Sequence, residues 1–281
     1  MISKKGKTHT YTIDPFGNVI TSATMAGDHR RQRHDRIKQR IKRLSEWAEM
    51  PIQFEVLHLF ASVISQYEKL TTEKAPRQIQ GIIPDIYNCD DQTLLDIKTM
   101  SCCKTHYKPC RSRNAIRSDA VRVRQAKVHT KYTAKAHDID VEYNDYKGKR
   151  SLGPVGLKLS SFGRVKGLAC GAFGEGSADL HDLCGKLPES AALNKYSDMG
   201  AASAKDAKSR ATRYVYRLLG IEMMRSISTL RPYRLAMALA GSKSNREAAA
   251  RRKWSRVAFE KDCSSYFDKH SYGTTCHARP W

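Results

Sequence analysis

The chain has 281 residues, 40% hydrophobic and 28% charged, enough for a packed core in one or two domains. Its 50 Lys and Arg against 28 Asp and Glu leave a net charge of +22, a field that draws polyanions, of which nucleic acid is the commonest inside a cell; an excess this large argues against a merely solvated charged surface. No apolar run is long enough to span a bilayer, and "MISKKGKTHTYTIDPFG" lacks the apolar centre of a secretory signal, so an intracellular protein of the cytoplasm or nucleus is expected, neither secreted nor in a membrane.

Residues 1–27 read as an extended arm, with "THTYTI" as a strand and "DPFGN" as a turn. "HRRQRHDRIKQRIKRL" (29–44) is densely basic, and Ile37, Ile41, Leu44 and Trp47 recur at helical spacing. One side of such a helix can pack while the other presents Arg30, Arg31 and Arg33 to phosphates. Pro51 suits a first helical turn. "IQFEVLHLFASVISQYEKL" (52–70) is apolar on most sides and predicts a core helix. Strands over 78–87 and 92–99 follow, joined by "NCDD". A basic loop over 101–120 carries Lys104, Arg111 and Arg113. A second long helix lies within 118–143, capped by Ser118 or Asp119 and bearing Arg122 and Arg124. After a turn-rich connector at 144–154, "GRVKGLACGAFGEG" (163–176) predicts a buried strand ending in a tight turn. A helix runs from Ser177 to about Cys184. From 201 onward the pattern is helical, with Gly220 and Gly241 as helix ends. There Arg251 and Arg252, next to Trp254, can contact a nucleic-acid backbone or stack on a base.

The eight cysteines are irregularly spaced, which fits reduced thiols. "CCKTHYKPC" gathers Cys102, Cys103, His106 and Cys110, a set that could hold zinc. It lacks a clean CxxC pair, so free thiols in a loop are the preferred reading. The three glycines of "GAFGEGSADLHD" (171–182) could cradle a phosphate, but a tight strand-to-helix turn explains them at lower cost.

The chemistry concentrates in "GIIPDIYNCDDQTLLDIKTM" (81–100), where Asp85, Asp96 and Lys98 interrupt apolar strands. If residues 88–91 close a hairpin, Asp85 lies opposite Leu94 and diagonal to Asp96. Positions 94, 96 and 98 share a face, so the two carboxylates and the ammonium project together. Carboxylates that close repel unless a cation separates them. Oxygen ligands with few other donors suit Mg²⁺, with Mn²⁺ expected to substitute. A nearby ammonium can orient a water or stabilise charge on a phosphate oxygen. The rival account, which we favour less, is a charged edge hairpin holding an ion pair.

"PD" (84–85) followed by "DIK" (96–98) resembles the signature of the PD-(D/E)xK nuclease superfamily, and the order of helix 52–70, hairpin 78–99, helix 118–138 and strand 165–172 is similar to its core. The resemblance implies an α/β fold with a restriction-endonuclease-like core, a mixed sheet flanked by helices, over 49–176. A basic N-terminal arm (1–48) and a helical, basic C-terminal extension (177–281) would flank it. It implies Asp85, Asp96 and the carbonyl of Ile97 as Mg²⁺ ligands, with Lys98 positioning or activating the attacking water. Glu55 would be the acidic residue that many members add from the preceding helix; its other reading is a first-turn glutamate favoured by the helix dipole. Gln125 would be the polar residue of the following helix, with His129 and Tyr132 near the same side. The implied activity is Mg²⁺-dependent endonucleolytic hydrolysis of double-stranded DNA, by a restriction-like, homing or mobile-element enzyme. Cutting both strands would suggest a homodimer, although no interface is readable. Two rivals stay open: a non-catalytic nucleic-acid-binding protein with a structural Asp pair, and an RNA-directed nuclease.

Overall fold

The structure, a computed structural model, describes residues 2–4, 7–9, 29–68, 70, 82–100, 107 and 113–228. The chain divides into two units, Met1–Gly27 with Leu230–Trp281, and Asp28–Thr229. In the first, β1 (Ile2–Lys4) and β2 (Lys7–His9) pair antiparallel, Ile2 opposite His9. The helices expected beyond 229, with Gly241, Arg251 and Arg252, lie outside the described residues, as do Lys104, Arg111 and the zinc candidates Cys102, Cys103, His106 and Cys110.

The second unit runs α1 (His29–Trp47), β3 (Ile52–Phe54), β4 (Ile86–Asn88), β5 (Thr93–Thr99), α2 (Arg113–Tyr143), α3 (Pro154–Ser161), β6 (Lys166–Cys170), α4 (Ala178–Lys195) and α5 (Ala204–Ser228). Its sheet is mixed, in the order β3-β4-β5-β6. β3, β4 and β5 are antiparallel neighbours, and β6 lies parallel to β5 after the crossover through α2 and α3. Strand alternation sorts the two faces. Ile86, Leu95, Ile97, Leu168 and Cys170 pack with Ile37 and Ile41 of α1, Leu187 of α4 and Val215 of α5. Leu94 on the opposite face packs with Val128, Tyr132 and Ile139 of α2 and Leu159 of α3. Each fully buried Leu or Ile contributes about 1.5–3 kcal/mol. The boundaries drawn at 48/49 and 176/177 fall inside this unit, since α1, β5 and α4 share one apolar cluster.

The periodic face of α1 is where the spacing put it: Ile37, Ile41 and Leu44 are buried, and Trp47 packs half-buried against the same cluster. One of its arginines departs from expectation. Arg33, read as a phosphate contact, is 5% exposed and donates to the carbonyls of Met100 and, at 2.8 Å, Gly171. It ties the ends of β5 and β6 together, because carbonyls just beyond two parallel strands need donors. Arg40 donates to Glu222 of α5 at 3.2 Å, largely out of solvent.

The core helix expected over 52–70 does not form. Ile52, Gln53 and Phe54 pair with Asn88, Tyr87 and Ile86, and the chain then passes through Glu55 at φ 50° into turns and a 3-10 turn at Ala61–Val63. The backbone of this segment is claimed from afar: Gln66 N donates to Tyr143 O at 3.2 Å, and Asn144 Nδ2 to Val63 O at 3.0 Å. Such non-local bonds outweigh a local apolar pattern. Among the described residues, the long helix that precedes the hairpin is therefore α1. Among the described residues the strand expected over 78–87 is only Ile86–Asn88. α4 continues past Cys184 through the buried Pro188 to Lys195. Gly220 ends nothing and lies inside α5.

Two buried carboxylates brace the crossover. Asp140 of α2 accepts from Val155 N at 2.8 Å and Gly156 N at 2.9 Å, capping α3. Asp179 of α4 accepts from Gly167 N at 2.7 Å and from Arg164. Ser177 caps α4 and also receives Ala169 N at 2.9 Å. The Gly171–Gly176 segment is the tight turn, filled by the Glu175 side chain, which accepts from Phe173 N at 2.9 Å.

At Gly167 the backbone of α2 meets the sheet: a Cβ there would lie 3.0 Å from Gln125 Cα and 2.9 Å from Val128 Cγ2. Gly167→Ala should force α2 away from β6 and cost about 1–3 kcal/mol, read as a lower urea midpoint with unchanged slope.

Candidate active site

The register of β4 and β5 builds the site. Asn88 lies opposite Thr93 and Ile86 opposite Leu95, so the connection spans 89–92. Extending the ladder one step puts Asp85 directly across from Asp96. The expected closure at 88–91 put it across from Leu94; the true register differs by two residues, which preserves the face and replaces a diagonal pair with a direct one. The turn is set by side chains: Asn88 Oδ1 accepts from Asp90 N, and Asp91 Oδ1 from Thr93 N, each at 3.2 Å.

Asp85 sits one residue outside β4. Its Oδ2 accepts from Ile97 N at 2.7 Å and meets His34 Nε2 of α1 at 3.0 Å, while Oδ1 takes neither bond. The second ring nitrogen of His34 lies 3.2 Å from Asp35 Oδ1. Asp96, 5% exposed, accepts from Tyr132 OH at 3.0 Å through Oδ1 and pairs with Lys98 through Oδ2. Tyr132 OH also lies 3.1 Å from Ile83 O, so α2 holds both arms of the hairpin.

These surroundings push the carboxylates apart. Burial would raise Asp85, but the His34 hydrogen bond and charge, the Ile97 N–H and Lys98 together hold it below the usual range. Burial, reinforced by the Asp85 charge, raises Asp96 despite Lys98 and Tyr132. His34 is raised: burial opposes its charge, and the Asp85 carboxylate more than compensates. Facing carboxylates with opposite shifts are a mark of functional sites.

The remaining candidates separate. Glu55 follows β3, not a helix; its N–H donates to Asp85 O at 3.2 Å, but its side chain is exposed and pairs with Lys38. Gln125 lies where α2 crosses β6, with no hydrogen bond to either carboxylate. His129 Nδ1 accepts from Val165 N at 3.4 Å. Arg31 is exposed and 3.8 Å from Asp35, and Arg122 pairs with Asp119 at 3.0 Å. Arg124 is half-buried on α2. The side chains of Arg30 and Arg113 lie outside the described residues. His34 went unread in the sequence. Its signal was there: it precedes Ile37 by three positions, which turns it toward the sheet on the face of Ile37 and Ile41.

Among the described residues no three His, Cys, Asp or Glu side chains stand close enough to form a metal-binding group. A hard cation that keeps several waters needs fewer protein ligands. Asp85 and Asp96, with the Ile97 carbonyl, would supply an all-oxygen set of that kind, and the bonds of Asp85 to Ile97 N and His34 both fall on Oδ2. The donor chemistry fits Mg²⁺ and not a thiophilic metal.

The raised His34 pKa means its contribution to stability is complete below about pH 6.5 and lost as pH rises through the folded value. The lowered Asp85 pKa makes its contribution complete above about pH 3.8 and lost as pH falls through the folded value. The stability difference between metal-free wild type and His34→Ala should therefore be largest between about pH 4 and 6.5, by urea titration. In Asp85→Asn, the NMR titration of His34 should move from above its ordinary value to below it, because burial then dominates.

No protein-family model matches this chain, and no curated protein and no solved structure matches it either, so the functional reading rests on the arrangement of these residues.

Proposed function

We propose that the protein is a Mg²⁺-dependent nuclease with a restriction-endonuclease-like core, hydrolysing phosphodiester bonds in DNA. The observation that carries the reading is the placement of Asp85 across from Asp96, with Lys98 paired to Asp96, at one end of the sheet. The order of α1, three antiparallel strands, α2 and a parallel β6 supports it, being similar to the core of the PD-(D/E)xK superfamily. The net charge of +22 suits a polyanionic substrate.

Asp85, Asp96 and the Ile97 carbonyl would hold the metal ion, which when bound supplies neutralisation of phosphate charge. Asp85 is poised for this by its lowered pKa. His34 and the Ile97 N–H fix its Oδ2, and Tyr132 fixes Asp96 Oδ1, so both carboxylates are oriented before substrate arrives. Lys98, 28% exposed, can donate to the attacking water or to a non-bridging phosphate oxygen. Water attacks phosphorus in line; the bond to the leaving sugar oxygen breaks, that oxygen gains a proton, and the attacking water loses one to solvent.

A second reading follows from the same pairs: with Lys98 neutralising Asp96 and His34 neutralising Asp85, the cluster can be a structural clasp in a nucleic-acid-binding protein. Plasmid cleavage separates the two. Wild type with Mg²⁺ should nick supercoiled DNA, Lys98→Ala should be slower by about 10²–10³-fold, and Asp96→Ala should be inactive while still binding DNA. If no Mg²⁺-dependent cleavage of DNA or RNA occurs while binding persists, the clasp reading replaces the nuclease.

A further inference from the structure

α2 carries cations of two kinds. Arg122 is matched by Asp119 one turn earlier. Arg117, Arg124, Lys127 and Lys131 have no ion-pair partner among the described residues, and three of them, 117, 124 and 131, recur every seven positions. That spacing places them on one side of the helix, about 10 Å apart along its axis. The row runs toward the site, since Lys131 precedes the Tyr132 that bonds Asp96. Its charges feel one another: Arg124 first, then burial and Lys98, pull the Lys131 pKa below its ordinary value. Arg124 Nε is buried without a hydrogen bond. Like charges gathered this way work against folding unless an anion joins them.

The far end of the row carries a different group. Phe173 projects from the tight turn after β6 and is 43% exposed, although it is a large aromatic in a Gly-rich turn. The Arg117 guanidinium lies 4.8 Å from its ring centroid, and Tyr107 meets it edge-on at 5.3 Å. Tyr107 is itself fixed by Ala172 N at 2.7 Å and by Glu175. The ring is thus oriented while still exposed. A row of unmatched cations ending at a braced, exposed aromatic is the pairing that single-stranded nucleic acid uses: phosphates along the row, a base on the ring. A duplex keeps its bases stacked on each other and gains nothing from such a ring.

We propose that α2 and Phe173 form a track for a single nucleic-acid strand, leading from Arg117 past Arg124 and Lys127 to Lys131 at the carboxylate pair, with one unstacked base on Phe173. The track rests on reading the site as one that handles nucleic acid and narrows the substrate to single-stranded or frayed strands. It does not require hydrolysis.

The test is fluorescence anisotropy in EDTA, with the full chain and labelled single-stranded and blunt duplex oligonucleotides of one sequence, across a salt series. Phe173→Leu should weaken single-strand binding by about 5- to 100-fold and leave duplex binding and the melting temperature unchanged. Phe173→Trp should restore binding. Lys131→Gln should lower the slope of log K against log salt by about 0.7 for single strands. Equal single-strand affinity of wild type and Phe173→Leu, or an unchanged slope in Lys131→Gln, would overturn the track. Because no cleavage is involved, these results stand apart from the plasmid assay: the track can hold in a protein that does not cut, and a cutting protein can lack it. DNA and RNA strands run in parallel distinguish the two sources of the phosphodiester.

Discussion

A half-buried Asp85 carboxylate must find its donors in two different elements, and much of this unit is arranged around that need. Its Oδ2 receives the Ile97 N–H from the neighbouring strand and stands against His34 from α1. The first bond closes the mouth of the hairpin at the point where the regular ladder stops. The second brings the start of α1 to the same end of the sheet. A buried carboxylate without such partners would either protonate or cost several kcal/mol.

The same problem recurs for Asp96, across the ladder on the same face of the sheet. Here the donors are a tyrosine from α2 and a lysine two positions along the same strand. Tyr132 reaches Asp96 only because α2 lies close to the sheet, and that closeness depends on Gly167, whose missing side chain leaves room for the backbone at Gln125. Asp179 takes the Gly167 N–H from the other side, so a single residue of β6 is held by α4 while α2 packs over it. The carboxylates are therefore positioned by contacts from both helical layers, and their opposite pKa shifts express that asymmetry.

The basic residues divide into roles that charge alone does not distinguish. Arg33 and Arg40 spend their guanidinium groups on carbonyls and on Glu222 inside the fold, and Arg164 meets the buried Asp179. Only part of the positive charge is left for a partner. Arginine suits the inward role because its planar fork can satisfy two acceptors at once, as Arg33 does at Met100 and Gly171. A densely basic stretch such as 29–44 can thus be a core helix with solvated flanks, and its composition reveals neither which cations turn inward nor which remain exposed.

Local spacing was enough to read the apolar face of α1, the body and end of α2, the course of β5, the tight turn after β6 and the helix start at Ser177, because each depends on residues within a turn or two; it missed the start of α2, which begins at Arg113, so that the expected caps Ser118 and Asp119 lie inside the helix. It was also enough to single out Asp85, Asp96 and Lys98, since charge in an apolar strand is conspicuous and strand parity survives a register error of two. It failed for 52–70, where helical spacing lost to pairing with β4 and to bonds from the end of α2. It was silent on His34, whose importance comes from a carboxylate 51 residues away, and on Arg33, whose acceptor at Gly171 is 138 residues away. Residue type and period are properties of a short stretch of chain. Which donor meets which carboxylate is settled by strand register and helix packing, whose free energies sum over contacts far apart in sequence, and only the folded structure contains them.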